Sequence, residues 1–243
     1  MKKPTGDRKV ILFDIDGTLI SPLAAGIAVN RYSYAVKKAL QIDLVADVSM
    51  WKRFNGWSDR GIFWTLLSEQ TDISKELFLE RLPLIEDALV EYSDLVAKDQ
   101  RLFERIEDAC QLFDMIHAHP TYLLGTLTGN LGKSAQWKLR HTGISPDRMK
   151  VGVYGHEADT RDELAALILP RIEAALGGPV DPTNVVFIGD TIHDIRCAKT
   201  VGASSIAVTT GWNVPVDDLE REKPDLLVNS LMDPSVLSFL GLS

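Results

Sequence analysis

Several features that direct the location or chemistry of a protein are missing from this 243-residue chain. It has two cysteines, Cys110 and Cys197, both in helix-like patterns, so neither a disulfide framework nor a zinc-ligand spacing can be built, and a reducing cytoplasm is expected. No apolar run is long enough to span a bilayer, and the N-terminal residues lack the apolar region of a secretion signal. No block of Lys and Arg stands out and the net charge is −8, so we expect no nucleic acid and no membrane as partner.

One stretch combines an apolar run with closely spaced acids. Residues 10–13 are apolar and lead directly into Asp14-Ile15-Asp16-Gly17-Thr18. This pattern predicts a strand buried on both faces of a parallel sheet, with Asp14 and Asp16 leaving its end on one face. Two carboxylates held so close repel each other unless a cation or a shared proton intervenes. A hairpin turn or a calcium loop would use similar residues, but no alternating strand follows, and Ala25 stands where a calcium loop needs glutamate.

The pattern changes twice along the rest of the chain. From about Ala24 to Lys98 apolar residues recur at helical spacing, which predicts helices over Asn30–Leu40 and Asp59–Leu67 and two more within Ser74–Lys98, separated by Pro83. Another helix is predicted over Asp99–His117. We therefore assign residues 1–20 and 100–243 to one α/β domain and residues 21–99 to an inserted helical domain.

Beyond residue 120 predicted strands alternate with predicted helices. The strands are expected at Tyr122–Leu127, Val151–Tyr154, Val185–Ile188, Ser205–Val208 and Asp225–Val228. This alternation predicts a doubly wound parallel sheet in the α/β class. Because ligands bind at the carboxyl ends of such strands, Asp14, Asp16, Thr128, Asp190 and Asp194 are expected to meet at one edge.

The motifs together resemble one family. Asp14–Thr18, Leu127–Asn130 and Gly189–Asp194 follow the order of the motifs of the haloacid dehalogenase superfamily, and Asp159–Leu164 resembles the segment that supplies its basic residue. The helical insertion lies where the phosphoglycolate-phosphatase-like branch carries its helical cap. The resemblance implies a Rossmann-like core with an all-helical cap over residues 21–99.

The resemblance also implies roles for the acids. Asp14 would be the nucleophile that forms an aspartyl-phosphate, and Asp16 the general acid and base. Asp14 and Asp190 would bind Mg²⁺ through their carboxylates, Asp16 through its backbone carbonyl, and Asp194 directly or through a water. Asp194 can alternatively serve only as the N-cap of the helix that starts there.

Other residues would bind the phosphoryl group and the substrate. Thr128, Gly129 and Asn130 offer a hydroxyl and backbone amides at a helix start, although an ordinary helix cap has the same composition. Arg161 would be the basic residue, where the family commonly has lysine, and Lys133 is the alternative.

The segment Phe54–Arg60 resembles the cap loop that faces the active site in this branch. Trp57 and Arg60 are therefore candidate substrate contacts. Ser58 or Asp59 can alternatively be a helix N-cap.

The predicted function is a Mg²⁺-dependent phosphatase that hydrolyses a small phosphorylated metabolite, either phosphoglycolate-like or a sugar phosphate. Two alternatives stay open at this point. A phosphomutase would use the same acids but keep water from the phospho-aspartate, and a non-catalytic protein would only bind a phosphorylated metabolite. Release of free phosphate separates the first of these from a phosphatase.

Overall fold

A computed structural model describes residues 8–23, 25–211 and 214–242 of the chain. The strands are β1 (Lys9–Phe13), β2 (Ile20–Pro22), β3 (Phe103–Arg105), β4 (Tyr122–Leu127), β5 (Val151–Val153), β6 (Val185–Gly189), β7 (Ser204–Val208) and β8 (Leu226–Val228). The helices are α1 (Ala25–Leu40), α2 (Met50–Phe54), α3 (Asp59–Gln70), α4 (Lys75–Ala97), α5 (Glu107–Ala118), α6 (Gly132–His141), α7 (Arg161–Leu176), α8 (Ile192–Val201), α9 (Val216–Arg221) and α10 (Pro234–Leu240).

Six of the strands form one parallel sheet in the order β5-β4-β1-β6-β7-β8. The chain starts in the middle at β1, builds outward through β4 and β5, and then returns to build the other half through β6, β7 and β8. The predicted doubly wound parallel sheet is confirmed. The order reverses beside β1, and in open α/β sheets this is where a crevice opens at the carboxyl ends of the strands.

The central strand β1 is buried on both faces, as its unbroken apolar run predicts. Ile11 and Phe13 pack on one face of the sheet with residues of α5, α6 and α10. Val10 and Leu12 point to the opposite face, where they pack against residues of α7 and α8. Burying a side chain of this size contributes about 1.5–3 kcal/mol, so β1 and the position of the residues after it are firmly held.

Helices α1 to α4 lie between β2 and β3 and enclose a hydrophobic core of their own. Tyr32, Phe54, Phe63 and Phe78 are buried in this core. β2 and β3, through which the chain enters and leaves these helices, pair with each other antiparallel. We call α1–α4 the helical cap. Its predicted bounds at residues 21 and 99 stay a prediction, and residues 1–7 of the predicted core lie outside the described residues.

Two predicted helices differ from the observed ones. α4 continues through Pro83 instead of breaking into two, because Phe78 and Leu82 before the proline and Ile85 and Leu89 after it are all buried on the cap core. The predicted helix from Asp99 begins only at Glu107, because residues 103–105 pair with β2. A three-residue strand is too short to show the two-residue period that identifies strands.

The described helices do not include one that is both long and apolar enough to cross a membrane. The predicted helical stretch from Ala24 begins at a residue outside the described range, and α1 is described from Ala25.

Candidate active site

Three neighbouring strands end in polar residues of the predicted site. β4, β1 and β6 lie side by side, and Thr128, Asp14 and Asp190 are the residues that directly follow them. Because the three strands are parallel, these residues come together at one edge of the sheet. The sequence prediction that they meet there agrees with the structure.

Asp14 is held in place by the backbone of the sheet. Its N–H donates to the carbonyl oxygen of Ile188 at 2.9 Å, which extends the β1–β6 ladder by one residue. Its carboxylate is buried, and Oδ1 has no hydrogen-bond partner among the described residues. The nearest basic group is Nη2 of Arg161, 3.6 Å from that oxygen.

Asp190 is packed between two glycines. The Thr18 hydroxyl donates to its Oδ1 at 3.2 Å. A Cβ atom on Gly17 or on Gly211 would lie 2.2 Å from Oδ2 of Asp190, so no larger residue fits at either position without moving the carboxylate. Gly17 also has a φ of +83°, a conformation that glycine adopts without strain.

Asp194 uses its two carboxylate oxygens differently. Oδ2 accepts hydrogen bonds from the N–H of Thr191 at 3.0 Å and from its hydroxyl at 2.7 Å, which caps the start of α8. Oδ1 accepts from Nη2 of Arg161 at 2.5 Å. The N-cap of α8 is therefore Thr191, and Asp194 completes its capping box from the third helical position while its carboxylate also belongs to an acidic cluster.

That cluster contains Asp14, Asp190 and Asp194. All three are buried, and each offers a carboxylate oxygen within 4.8 Å of the others. Burial, reinforced by the charge of Asp194, raises the pKa of Asp14 to about 7. Burial and the charge of Asp14 likewise raise the pKa of Asp190 well above its ordinary value.

This charge pattern fits a hard divalent cation. Carboxylate oxygens are the ligands that Mg²⁺ prefers, and a bound cation would offset both the burial of these charges and their mutual repulsion. Oδ1 of Asp14, buried and without a hydrogen-bond partner in the described part of the chain, supplies a free ligand atom. The residues present therefore fit the metal that the sequence predicts.

Arg161 is the basic residue of the acidic cluster. It is the first residue of α7, and its side chain is 3% exposed. Burial opposes its charge, but Asp194 and Asp14 raise the pKa of the guanidinium above its ordinary value. Nε and Nη1 have no partner within the described ranges, so Arg161 retains donors for a further anionic group.

Lys133, the alternative to Arg161, lies elsewhere. Its ammonium pairs with Asp87 of the helical cap, and about half of its side chain is exposed. It lies near the start of α6 and does not line the cavity at the acidic cluster. Its position excludes it as the counter-charge of Asp14.

A second network surrounds Asp16. Oδ2 of Asp16 accepts from Nζ of Lys138 at 2.5 Å and from Nδ2 of Asn130 at 2.7 Å. The same Asn130 nitrogen donates to the Thr128 hydroxyl at 2.9 Å. Burial alone would raise the pKa of Asp16, but the Lys138 ammonium outweighs this effect and the pKa is lowered.

Lys138 is a residue of the site that the sequence analysis missed. It lies in the middle of α6, and nothing in its local pattern separates it from a solvated lysine on an amphipathic helix. Only the folded structure identifies Lys138 as a site residue. Helix α6 directly follows the Thr128 loop, and Lys138 lies on the buried face of α6 beside Ala135 and Leu139. Arg31 of the helical cap, which also lines the cavity, was missed for the same reason.

The helical cap is docked on the core through the segment around Ser58. The Ser58 hydroxyl accepts from the N–H of Gly61, as a helix N-cap does, and donates to the carbonyl oxygen of Asp159 at 2.6 Å. The N–H of Asp59 donates to the carbonyl oxygen of Gly129 at 2.7 Å. The segment therefore does both things that the sequence suggested: Ser58 is the N-cap of α3, and the loop contacts the core on the side of the active site.

Arg60 is placed differently from the expectation that it contacts substrate. Its Nε donates to Asp159 at 2.6 Å and Nη1 to the carbonyl oxygen of His156 at 3.1 Å, both on the core. It is not among the residues that line the cavity. Because its guanidinium is used to dock the cap, Arg60 is corrected from a substrate contact to a cap–core contact. Trp57, the other candidate, does line the cavity.

A single cavity joins the two networks and the cap. On the core side it is lined by Asp14, Asp16, Thr128, Gly129, Asn130, Lys138, Arg161, Asp190 and Thr191. The cap contributes basic, acidic, amide, aromatic and aliphatic side chains, namely Arg31, Asp59, Asn55, Tyr32, Phe54, Trp57 and Ile62. The predicted core residues other than Asp194 thus line one cavity together with Trp57, and cap side chains of mixed character complete its lining.

Comparisons with known proteins concern the sequence family and the fold. Residues 163–234 match the family model described as "HAD-hyrolase-like". A phosphoglycolate phosphatase from Nitrosococcus oceani is 22% identical over 93% of this chain and 94% of its own length.

Solved structures share the fold over nearly the whole chain. CbbY from Rhodobacter sphaeroides, solved in complex with phosphate, aligns with a TM-score of 0.70 and 16% identity, covering 96% of this chain and 99% of that one. A haloacid dehalogenase-like hydrolase from Streptococcus pneumoniae aligns with a TM-score of 0.60 and 19% identity, over 96% and 98% of the two chains. The shared fold therefore includes the helices inserted between β2 and β3.

The raised pKa of Asp14 predicts a pH-dependent penalty on stability. The folded protein holds the Asp14 proton more tightly than the unfolded chain, so this residue lowers stability as the pH rises from about 4 to about 7. Without divalent cations, we expect Asp14→Asn to be more stable than the parent, with the gap growing between about pH 4 and pH 7. A gap of 1 kcal/mol corresponds to about 2–4 °C in Tm at this chain length.

The measurement is thermal unfolding in EDTA at several pH values. Asp217→Asn, at an exposed position on α9, is the matched control and should follow the parent. A gap between Asp14→Asn and the parent that stays constant across this pH range would contradict the assigned environment of Asp14.

Proposed function

Because this chain is a phosphatase of the haloacid dehalogenase superfamily, in its phosphoglycolate-phosphatase-like branch, we propose that it hydrolyses a small phosphorylated metabolite with Mg²⁺ through an aspartyl-phosphate on Asp14. The observation that carries the proposal is the buried cluster of Asp14, Asp190 and Asp194 beside Arg161. Packing alone does not require three carboxylates at that depth, since burying unpaired charge is costly. A phosphoryl group and its cation supply the missing partners.

Asp14 is the proposed nucleophile. One of its carboxylate oxygens attacks phosphorus, an oxygen–phosphorus bond forms, and the bond from phosphorus to the leaving oxygen breaks. Water then attacks the same phosphorus, which releases inorganic phosphate and restores the carboxylate. The backbone bond from Asp14 to Ile188 supports this role, because it fixes the residue at the strand end where attack requires precise positioning.

Asp16 is the proposed proton carrier. It gives a proton to the leaving oxygen in the first step and accepts one from the attacking water in the second, so no proton is gained or lost over the cycle. Its side chain lines the cavity and is about one-fifth exposed. General acid–base help of this kind typically contributes about 10²–10⁴ in rate.

The phosphoryl oxygens are proposed to bind to groups that surround the nucleophile. Arg161 has two buried N–H-bearing nitrogens without a partner in the described chain, and a guanidinium binds phosphoryl oxygens well. The Thr128 hydroxyl and the backbone of Gly129 and Asn130 lie at the next strand end. Mg²⁺, held by Asp14, Asp190, Asp194 and the backbone carbonyl of Asp16, would neutralise charge on the carboxylates and the phosphoryl group.

Free phosphate as the product distinguishes this proposal from a phosphomutase or a binding protein. We expect the parent to release phosphate from at least one ester in a panel of phosphoglycolate and sugar phosphates, only when Mg²⁺ is present. Asp14→Asn should be inactive on every ester, because an amide cannot form the phospho-enzyme.

Phosphate is measured by a colorimetric assay over time, with each variant checked for folding by circular dichroism. Transfer of the phosphoryl group within a sugar phosphate without phosphate release would favour the mutase. Activity of Asp14→Asn equal to the parent would exclude the aspartyl-phosphate.

Arg161 and Lys133 give a second test with an internal control. Loss of one preorganised donor to a transition state costs about 10²–10³ in rate. We therefore expect Arg161→Met to lower kcat/KM by roughly this factor, while Lys133→Met, on a surface ion pair, stays within about twofold. The kinetics are measured on the best ester of the panel; a larger loss for Lys133→Met would reverse the assignment.

Metal binding is testable without turnover. A cation at a hundredfold excess over its Kd stabilises the folded state by about 2.7 kcal/mol, which corresponds to roughly 5–10 °C in Tm for this chain. Thermal unfolding should show such a shift for the parent with MgCl₂, and little or none for Asp190→Asn. An equal shift in Asp190→Asn would place the cation elsewhere.

A further inference from the structure

Lys138 places a buried ammonium group in the lining of the cavity. Its side chain is 4% exposed. Taking an ammonium out of water costs several kcal/mol unless charge and hydrogen bonds compensate it. The groups that compensate the buried charge of Lys138 therefore indicate the role of this residue.

Its partners are two oxygens and one aromatic ring. Nζ donates to Oδ2 of Asp16 at 2.5 Å and to Oδ1 of Asn130 at 2.6 Å. Nζ also lies 5.1 Å from the centre of the Phe103 ring. Because Asn130 in turn donates to Oδ2 of Asp16, the three polar side chains form a closed triangle. Lys138 is thus bound to Asp16 both directly and through Asn130.

The triangle holds one oxygen of Asp16 and leaves the other open. Oδ2 receives both hydrogen bonds, one of them from a charged donor, and such bonds are about twice as strong as neutral ones. Oδ1 of Asp16 has no partner among the residues that the structure describes, and the side chain lines the cavity. One carboxylate oxygen is therefore anchored and the other is available to a ligand.

The two buried basic residues of the core, Arg161 and Lys138, form ion pairs with different carboxylates. Arg161 contacts Asp14 and Asp194, at 3.6 and 2.5 Å. Lys138 makes its ion pair with Asp16. The ion pairs of the two residues share no carboxylate, so Lys138 does not duplicate the role proposed for Arg161.

We propose that Lys138 is a positioning residue for Asp16: by anchoring Oδ2 together with Asn130, it presents Oδ1 to the reacting oxygens. The inference rests on the proposed function, because it assumes that Asp16 transfers protons there. Removing the ammonium leaves Asp16 with a single hydrogen bond from Asn130, so its orientation loosens. A misplacement of about 1 Å can cost on the order of 10²-fold in rate.

The test is a double-mutant cycle on phosphate release with parent, Lys138→Met, Asp16→Asn and the double variant. We expect Lys138→Met to lower kcat by about 10–100-fold with KM changed less than about threefold, since the residue acts on a proton carrier and not on substrate binding. When Asp16→Asn is already present, adding Lys138→Met should lower kcat by less than about threefold. Lys133→Met, on the same helix but outside the cavity, should match the parent.

Three results would overturn the proposal. Equal losses from Lys138→Met with and without the Asp16 carboxylate would show that Lys138 acts independently of Asp16. A raised KM with unchanged kcat would make it a substrate-binding residue, and unchanged kinetics would make it purely structural. If the parent releases no phosphate from any ester, the proposed function fails and this inference fails with it.

The same set of variants also controls for loss of folding. Lys138→Met leaves Asp16 without its counter-ion, whereas the double variant with Asp16→Asn removes both charges of the pair. Should Lys138→Met alone be unfolded by circular dichroism, Lys138→Gln replaces it in the cycle, because an amide can still donate to Oδ2 of Asp16. The expected result is then a smaller loss of kcat with the same dependence on Asp16.

Discussion

The repulsion among buried carboxylates at the end of β1 is the constraint on which the rest of the site depends. Asp14, Asp190 and Asp194 lie within 4.8 Å of one another, where water screens their charges poorly. Burial and that repulsion together raise the pKa values of Asp14 and Asp190. Such a cluster is tolerated only because the surrounding structure supplies compensation and because the fold that carries it is stable on its own.

The parallel sheet explains how the acids come so close. Adjacent parallel strands bring their carboxyl ends to the same edge, and the order β4-β1-β6 places the residues after all three side by side. The strands themselves are buried on both faces, so their apolar packing stabilises the arrangement against the charge at their ends. Gly17 and Gly211 then leave the space into which Asp190 fits. The strand order brings the carboxylates together, and apolar packing of the strands stabilises the fold against their repulsion.

A feature of the fold or the site could be predicted from the sequence when it depends on a local pattern, and not when it depends on tertiary contacts. The strands and acids were predictable because an apolar run followed by Asp14 or Asp190 is a local pattern. Lys138 was not, since its role depends on which face of α6 is buried against Asp16, and that is decided by tertiary packing. The short strands β2 and β3 gave no periodic pattern, and α4 passes through Pro83 because its buried face continues on both sides. Arg60 carried the family's cap-loop context, yet an acid 99 residues away, Asp159, determines where its guanidinium lies.

The docked cap adds a constraint that no single motif contains. The N–H groups of Asp59 and Arg60 donate to carbonyl oxygens of Gly129 and Gly155, and the Arg60 guanidinium pairs with Asp159, so backbone and side-chain groups both hold the cap on the core. Arg60 and Asp159 do not line the cavity, whereas Arg31 and Trp57 of the cap do. The Arg60–Asp159 ion pair therefore holds the cap without occupying the space for a ligand. The strand ends thus supply carboxylates to the cavity and the cap completes its lining, and contacts at Asp59 and Arg60 hold the two parts together.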